Sequence, residues 1–129
     1  MPIEFPSLTP HHIGIAVPES EFTSKFKKNI NFDLIQGVKT YFIYDEEKKI
    51  FIEYFSIEGR AKKYFPGFHH ICYSINSIEE LNAFKKLIFK NDFGHQLTLL
   101  EKSGSPQCNF VVFFQIKFLG IIEINVLNI

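Results

Sequence analysis

Two histidine pairs and two glutamates stand out in this sequence because their side chains can bind a metal ion or move a proton. His11-His12-Ile13 recurs 58 positions later as His69-His70-Ile71. Glu53 interrupts the apolar run Phe-Ile-Glu-Tyr-Phe, and Glu123 interrupts the run Gly-Ile-Ile-Glu-Ile. Imidazole nitrogens and carboxylate oxygens together suit a divalent ion such as Zn, Ni, Co, Mn or Fe.

The histidine pairs belong to a longer internal repeat. At the same shift, Glu21 matches Glu79, the run 26–28 matches the run 84–86, and Ile30 matches Ile88, which gives 8 identities over residues 11–30. This number exceeds chance and indicates a duplicated unit. We predict that the two copies pack face to face and place equivalent side chains around one shared cavity.

Strand and helix patterns predict the same βαβββ order in both halves, and hence an α+β fold. The first half is predicted as strand 12–17, helix Glu19–Asn29 and strands Asp33–Gln36, Gly37–Tyr44 and Lys48–Phe55. The second half is predicted as strand 68–75, helix 78–90 and strands near 96–101, 108–116 and 119–126. We expect one domain over residues 1–129, with modules at about 10–56 and 68–127 and a linker at 57–67.

Strand alternation assigns the candidate side chains to faces of the sheet. His12 and His70 each share a face with small residues, whereas bulky apolar residues occupy the opposite faces and are expected to meet the helices. By the same alternation His11 and His69 fall on those opposite faces, which predicts a structural or supporting role for them.

The two glutamates lie in corresponding strands of the repeat, and each interrupts an apolar run. A lone buried carboxylate costs several kcal/mol unless it is paired, hydrogen-bonded or metal-bound. We therefore predict one joint metal site formed by His12, Glu53, His70 and Glu123.

The composition argues against several classes of function. Fourteen basic residues balance fourteen acidic ones, and Arg60 is the only arginine, so no net field draws the chain to nucleic acid or an acidic membrane. Residues 1–5 lack a leader pattern, and no stretch reaches the length of a membrane span. We expect a cytoplasmic protein in which Cys72 and Cys108 are buried thiols within strands; a disulfide between them stays open.

In order, these motifs resemble those of the vicinal oxygen chelate superfamily, which includes glyoxalase I, methylmalonyl-CoA epimerase, extradiol dioxygenases and bleomycin-resistance proteins. The matching segments are His-His-Ile-Gly-Ile-Ala-Val, Phe-Ile-Glu-Tyr-Phe, His-His-Ile-Cys-Tyr-Ser-Ile and Gly-Ile-Ile-Glu-Ile, and they extend from about residue 10 to 127. The first segment and the later Gly-Phe-His-His-Ile-Cys-Tyr are most similar to the methylmalonyl-CoA epimerase branch.

The resemblance implies a cupped mixed sheet of two βαβββ modules around one divalent ion (Zn, Ni, Co or Mn), with His12, Glu53, His70 and Glu123 as ligands. It implies an isomerase or epimerase that moves a proton at a carbon next to a carbonyl, with Glu123 or Glu53 as the catalytic carboxylate. The implied partner is a small-molecule substrate, an acyl-CoA thioester first of all. A homodimer is implied by the resemblance alone.

The sequence departs from the epimerase pattern and leaves two alternative functions open. Epimerases carry a glutamate base in the third strand, where this sequence has Thr40. Lactoylglutathione lyase, which acts on a glutathione adduct, is the first alternative, although no arginine lies near the first strand and Ser56 stands where an asparagine is expected. A non-catalytic small-molecule-binding member is the second. The basic run Arg60–Lys63 is either solvated surface charge or a contact for a coenzyme A phosphate.

Overall fold

The two halves of the chain contribute to one mixed, open β-sheet in the computed structural model, which describes residues 8–129. The first half contains β1 (Thr9–Pro18), α1 (Glu19–Lys25), β2 (Asn31–Asp33), β3 (Val38–Asp45), β4 (Ile50–Ile57) and the short 3-10 helix Gly59–Ala61. The second half contains β5 (Gly67–Ile75), α2 (Ile78–Lys90), β6 (Gly94–Gln96), β7 (Glu101–Lys102), β8 (Phe110–Ile116) and β9 (Gly120–Val126). The segment 1–5, discussed above for its lack of a leader pattern, lies outside the described residues.

The central strands β1 and β5 join the two halves. They run antiparallel to each other, and each has the last strand of its own half as a parallel neighbour, β4 beside β1 and β9 beside β5. The sheet order is β2-β3-β4-β1-β5-β9-β8-β6, with β7 also paired to β8. This confirms the predicted α+β fold of tandem βαβββ units. The units meet edge to edge through β1 and β5, so the prediction that they pack face to face is wrong.

The first helix is shorter than the predicted span Glu19–Asn29. It ends at Lys25 because Phe26 adopts an extended conformation, with φ −107° and ψ 109°. The ring of Phe26 stacks on Tyr41 at a centroid distance of 4.7 Å, and burial of this aromatic pair favours leaving the helix. The repeat match between Phe26 and Phe84 therefore joins two residues of different local structure.

The predicted strand Asp33–Gln36 is mostly a turn. Oδ1 of Asp33 accepts hydrogen bonds from the backbone N–H groups of Ile35 and Gln36, at 3.0 and 2.9 Å. Such an aspartate side chain offers the backbone an alternative to the strand ladder. Gly37 completes the turn with a φ of 70°, a conformation that glycine adopts without strain.

The second helix has the predicted bounds, and its N-terminus explains why. Oγ of Ser77 accepts a hydrogen bond from the backbone N–H of Glu80, and the Glu80 carboxylate accepts one from the N–H of Asn76, both at 3.3 Å. This reciprocal pairing satisfies backbone donors that the first helical turn leaves free.

Two predictions in the second half need correction. The single strand expected near 96–101 is divided into β6 and β7, with residues 97–100 between them. Cys108 lies in the loop that precedes β8 and not within a strand. It is half-buried, whereas Cys72 on β5 is fully buried, and both thiols are free.

The largest hydrophobic core lies between α2 and the second half of the sheet. Its buried members are Ile75, Leu81, Phe84, Ile88, Val112, Phe114, Ile116, Ile122, Ile124 and Val126. Ile71 and Tyr73 pack against it, which confirms that the bulky face of β5 meets the helix. Across residues 8–129, none of the helices has the length and apolar character needed to cross a membrane.

Candidate metal centre

The antiparallel pairing of β1 and β5 sets the two predicted histidines side by side. His12 lies opposite Cys72, and Gly14 lies opposite His70. The imidazole of His70 covers Gly14 so closely that a Cβ added at Gly14 would lie 2.1 Å from Cε1 of His70. As a result, Nε2 of His12 and Nε2 of His70 are 3.1 Å apart. Glycine is needed at position 14 for space.

The two predicted carboxylates reach the same point from the flanking strands, Glu53 from β4 and Glu123 from β9. Oε1 of Glu123 lies 3.0 Å from Nε2 of His12 and 3.1 Å from Nε2 of His70. Oε1 of Glu53 lies 3.5 Å from each of these nitrogens. The structure thus brings all four predicted side chains together.

The separations and the donor types suit a single cation. Ligand atoms bonded to a tetrahedral zinc ion at about 2.0–2.1 Å lie about 3.3 Å from one another. The four side chains belong to residues that are only 2% to 9% exposed. His12, His70 and Glu123 form the tightest group, with ligand atoms that all lie within 4.8 Å of one another. Two imidazoles with carboxylates are a donor set that binds Zn, Ni, Co or Mn.

The two carboxylates have opposite pKa shifts because their contacts differ. Burial raises the pKa of Glu53 to about 8, against the lowering effect of a charged His12. Burial also acts to raise the pKa of Glu123, but hydrogen bonds from His12 and His70 and the charges of both rings outweigh it. The pKa of Glu123 therefore lies well below its usual range. Without a cation, Glu53 holds a proton near neutral pH and Glu123 is an anion.

His12 is also in contact with the thiol of Cys108. Burial acts to lower the pKa of His12, yet the contacts with Cys108 and Glu123 outweigh it and raise this pKa well above the usual value. The neighbouring thiol of Cys72 lowers the pKa of Cys108 to about 4, with help from His11 and His12 and against the effect of burial.

Two β-bulges place His11 and His69 beside the histidines that follow them. The pairing register skips His11 on β1 and His69 on β5, each of which is an extra residue against the partner strand. Nδ1 of His11 lies 2.7 Å from Nδ1 of His12, and Nδ1 of His69 lies 2.7 Å from Nδ1 of His70. The prediction that His11 and His69 point to the opposite face is wrong, because alternation fails at a bulge. The repeated His-His doublet was the sequence signal for these contacts.

A cavity of about 450 Å³ opens over the four side chains. Part of its wall is the linker between β4 and β5, which forms the 3-10 helix Gly59–Ala61 and carries the exposed residues Arg60, Lys62 and Lys63 to the cavity. Arg60 pairs with Glu101 at 3.1 Å, and an exposed pair of this kind contributes little to stability. The linker thus gives the cavity a basic rim.

Thr40 lies apart from this cavity. It is 1% exposed, and its hydroxyl donates a hydrogen bond to the backbone carbonyl of Asn31 at 3.3 Å. Among the described residues, those that line the cavity do not include Thr40. The carboxylates of the cavity floor are therefore the better candidates for moving a proton.

The fold has clear relatives among solved structures, although no family model and no curated protein matches the sequence. Methylmalonyl-CoA epimerase from Mycobacterium tuberculosis matches with a TM-score of 0.65 and 13% identity, over 96% of this chain and 91% of that chain. A Streptomyces coelicolor methylmalonyl-CoA epimerase variant in complex with 2-nitronate-propionyl-CoA matches with a TM-score of 0.61 and 18% identity, over 93% of this chain and 98% of that chain. The chain has the methylmalonyl-CoA epimerase fold. A hypothetical protein, BH1468 from Bacillus halodurans, also matches, with a TM-score of 0.66 and 23% identity, over 93% of this chain and 94% of that chain.

This fold is the one that the resemblance of the sequence motifs implies. It confirms the cupped sheet of paired modules. At these identities the likeness concerns the fold, and the chemistry has to be argued from the side chains of this chain.

We expect Gly14→Ala to displace His70 and weaken the site. The added methyl group would overlap the imidazole, and overpacking of this kind typically costs about 1–3 kcal/mol. Affinity for added Co²⁺ should fall by about tenfold or more, as it does when ligand orientation is disturbed. Urea unfolding and calorimetric titration measure the two effects. Ser20→Ala, at an exposed position of α1, is the control; unchanged Co²⁺ affinity in Gly14→Ala would contradict the steric argument.

In metal-free protein we expect Glu53→Gln to stabilise the fold at alkaline pH. Between its ordinary pKa of 4.5 and its folded value of about 8, the unfolded chain loses the Glu53 proton while the folded chain keeps it. Stability of the wild type therefore falls as pH rises through this window, and the loss is complete above it. Glutamine cannot ionise, so the advantage of the variant grows across the same window.

Urea unfolding in EDTA at a series of pH values from about 4 to 9 measures this difference. The exposed Glu46→Gln substitution is the control and should follow the wild type throughout. Equal stability of Glu53→Gln and wild type at the alkaline end would show that burial does not disfavour the charged Glu53.

Proposed function

We propose that this protein is a divalent-metal-dependent epimerase or isomerase that moves a proton at a carbon next to a carbonyl group. The observation that carries the proposal is the convergence of two imidazole nitrogens, 3.1 Å apart, with two buried carboxylates on the floor of a cavity. Burying these groups together is costly without a cation to neutralise the carboxylates. The fold shared with methylmalonyl-CoA epimerases supports this class of reaction.

His12, His70 and Glu123 are the residues we assign to holding the ion, with Glu53 as the fourth and weakest ligand. Their buried nitrogen and oxygen atoms match the preferences of Zn, Ni, Co and Mn. When bound, a divalent cation acts as a Lewis acid that stabilises negative charge on the carbonyl oxygen of the substrate.

We assign the transfer of the proton to Glu53. Its Oε1 is 3.5 Å from both imidazoles, whereas Oε1 of Glu123 is 3.0 and 3.1 Å from them. Burial raises the pKa of Glu53 to about 8 in the metal-free protein, and a bound cation would lower this pKa toward the range in which the carboxylate is ionised and accepts a proton at neutral pH. The ionised Glu53 accepts the proton from the α-carbon; a solvent proton added to the opposite face of the enolate completes an epimerisation, and Glu53 releases its proton to solvent. Glu123 is held by both imidazoles and serves as an anchoring anion.

An acyl-CoA thioester is the substrate class we propose. The cavity of about 450 Å³ is large enough for a small acyl group, and Arg60, Lys62 and Lys63 on its rim provide positive charge for phosphates. Solved structures of the same fold include methylmalonyl-CoA epimerase with methylmalonyl-CoA and NH4+. Because the basic rim is exposed, we expect it to bind the coenzyme and not the reacting carbon. A cytoplasmic location and a homodimer remain predictions.

Hydrogen exchange at the α-carbon of methylmalonyl-CoA tests the reaction directly. In D2O, protein loaded with Co²⁺ should incorporate deuterium, detected by mass spectrometry, and EDTA should abolish the exchange. Glu53→Gln should retain bound cobalt but lose exchange by about 10²–10⁴-fold, the usual contribution of a positioned proton carrier. Glu123→Gln should lose cobalt as well as exchange.

The other outcomes point to specific alternatives. Exchange that survives EDTA, or that survives Glu53→Gln at the wild-type rate, would contradict the assigned roles. Isomerisation of the adduct of methylglyoxal and glutathione, without thioester exchange, would indicate lactoylglutathione lyase. Thioester binding without exchange by the metal-loaded protein would indicate a binding module.

We expect reversal of charge on the rim to weaken substrate binding while sparing the chemical step. Lys62→Glu combined with Lys63→Glu should raise KM by about five- to tenfold, since each exposed ion pair contributes about 0.2–1 kcal/mol, and should leave kcat nearly unchanged. The matched control is Lys27→Glu with Lys28→Glu, an adjacent exposed pair outside the cavity. Equal KM values for the two double variants would show that the basic rim does not contact the substrate.

A further inference from the structure

A second group of potential metal ligands lies on the other side of the His12 ring. One ring nitrogen each of His11 and His12, Sγ of Cys72 and Sγ of Cys108 all lie within 4.8 Å of one another. Nε2 of His12 faces the first centre, where it is 3.0 Å from Glu123. The ring of His12 therefore separates two clusters of different chemistry, one with carboxylates and one with thiols.

The backbone fixes the members of this second group. The bulge at His11 turns its imidazole toward His12, so that the two Nδ1 atoms are 2.7 Å apart. Cys72 lies directly opposite His12 in the β1–β5 pairing and is fully buried.

Cys108 comes from the loop 103–109, which is held by several hydrogen bonds. The N–H of Cys108 donates to the carbonyl of Ser105 at 3.2 Å, and the N–H of Ser103 donates to the carbonyl of Asn109 at 2.8 Å. The N–H of Asn109 donates to the buried side-chain oxygen of Asn125 at 2.7 Å. These contacts order the loop at the point where its thiol meets the histidine pair.

The internal repeat provides a comparison within the same molecule. His69 and His70 reproduce the 2.7 Å contact between Nδ1 atoms, but the position that matches Cys72 is Gly14. Around the second pair, therefore, this strand position contributes no thiol. The His-His contact therefore forms without a neighbouring cysteine in the second half. The two thiols beside the first pair are not needed for that contact.

We propose that Cys72, Cys108, His11 and His12 bind a soft cation such as Zn²⁺, in a thiolate–imidazole site beside the first metal centre. Two thiolates and two imidazoles form one of the common tetrahedral zinc donor sets, and thiolate selects soft ions. With Zn–S bonds of about 2.3 Å and Zn–N bonds of about 2.0–2.1 Å, the ligand atoms would lie about 3.3–3.8 Å apart.

Binding at this site releases protons to solvent. Each thiol gives up its proton to become a thiolate, and the proton shared by the two Nδ1 atoms leaves as the cation takes its place. No oxidant or reductant is involved. If the first centre were filled as well, Nε2 of His12 would be a ligand there, and His12 would release its remaining ring proton.

Cobalt spectroscopy of the reduced full-length chain tests the proposal. Thiolate ligands give Co²⁺ a strong near-ultraviolet charge-transfer band that imidazole and carboxylate ligands do not give. We expect this band on titration with Co²⁺, and we expect Zn²⁺ to bleach it by displacement. Because the readout is the thiolate band, it is independent of the epimerase reaction.

Matched variants show which residues supply the ligands that produce the charge-transfer band. Cys108→Ser, at a half-buried loop position, should abolish it, and Cys72→Ala should do the same if circular dichroism shows that the variant folds. His69→Gln changes the histidine pair that lacks thiols and should retain the band. A titration of the reduced protein without the band, or a band that survives Cys108→Ser, would overturn the proposal.

Discussion

The close passage of β1 and β5 is the constraint on which the site depends. These strands cross the centre of the sheet antiparallel, and His70 covers a glycine on the opposite strand. Only the absence of a side chain at Gly14 allows the two imidazoles to meet. The parallel strands β4 and β9 then deliver a carboxylate from each side. A duplicated unit joined in this way builds one site from two equivalent halves.

Contacts with the two imidazoles make two equally buried carboxylates chemically different. Glu123 is closer to both imidazoles than Glu53 by 0.4 to 0.5 Å, and its pKa falls while that of Glu53 rises to about 8. In a poorly solvated pocket, small differences in distance produce large differences in charge state. This asymmetry supports the proposal that Glu123 anchors the site and Glu53 carries the proton.

Residue types and alternation were enough to predict the main members of the site. The sequence singles out His12, His70, Glu53 and Glu123 because each departs from its surroundings at equivalent places in the repeat, and the structure brings their side chains together. The histidines His11 and His69 were misplaced, since alternation assumes regular pairing and bulges are not visible in a single sequence. Likewise, the early end of α1 depends on Phe26 reaching Tyr41, a contact between segments that local patterns do not contain. Cys108 was assigned to a strand because its loop is followed at once by an apolar run.

The claim that the four side chains hold one cation is tested most directly by a crystal structure of the cobalt-loaded protein, with anomalous scattering measured at the cobalt edge. The account predicts an anomalous peak bonded to Nε2 of His12, Nε2 of His70 and an oxygen of Glu123, with Glu53 adjacent. Cobalt bound elsewhere on the protein, with no peak between these two imidazoles, would contradict it.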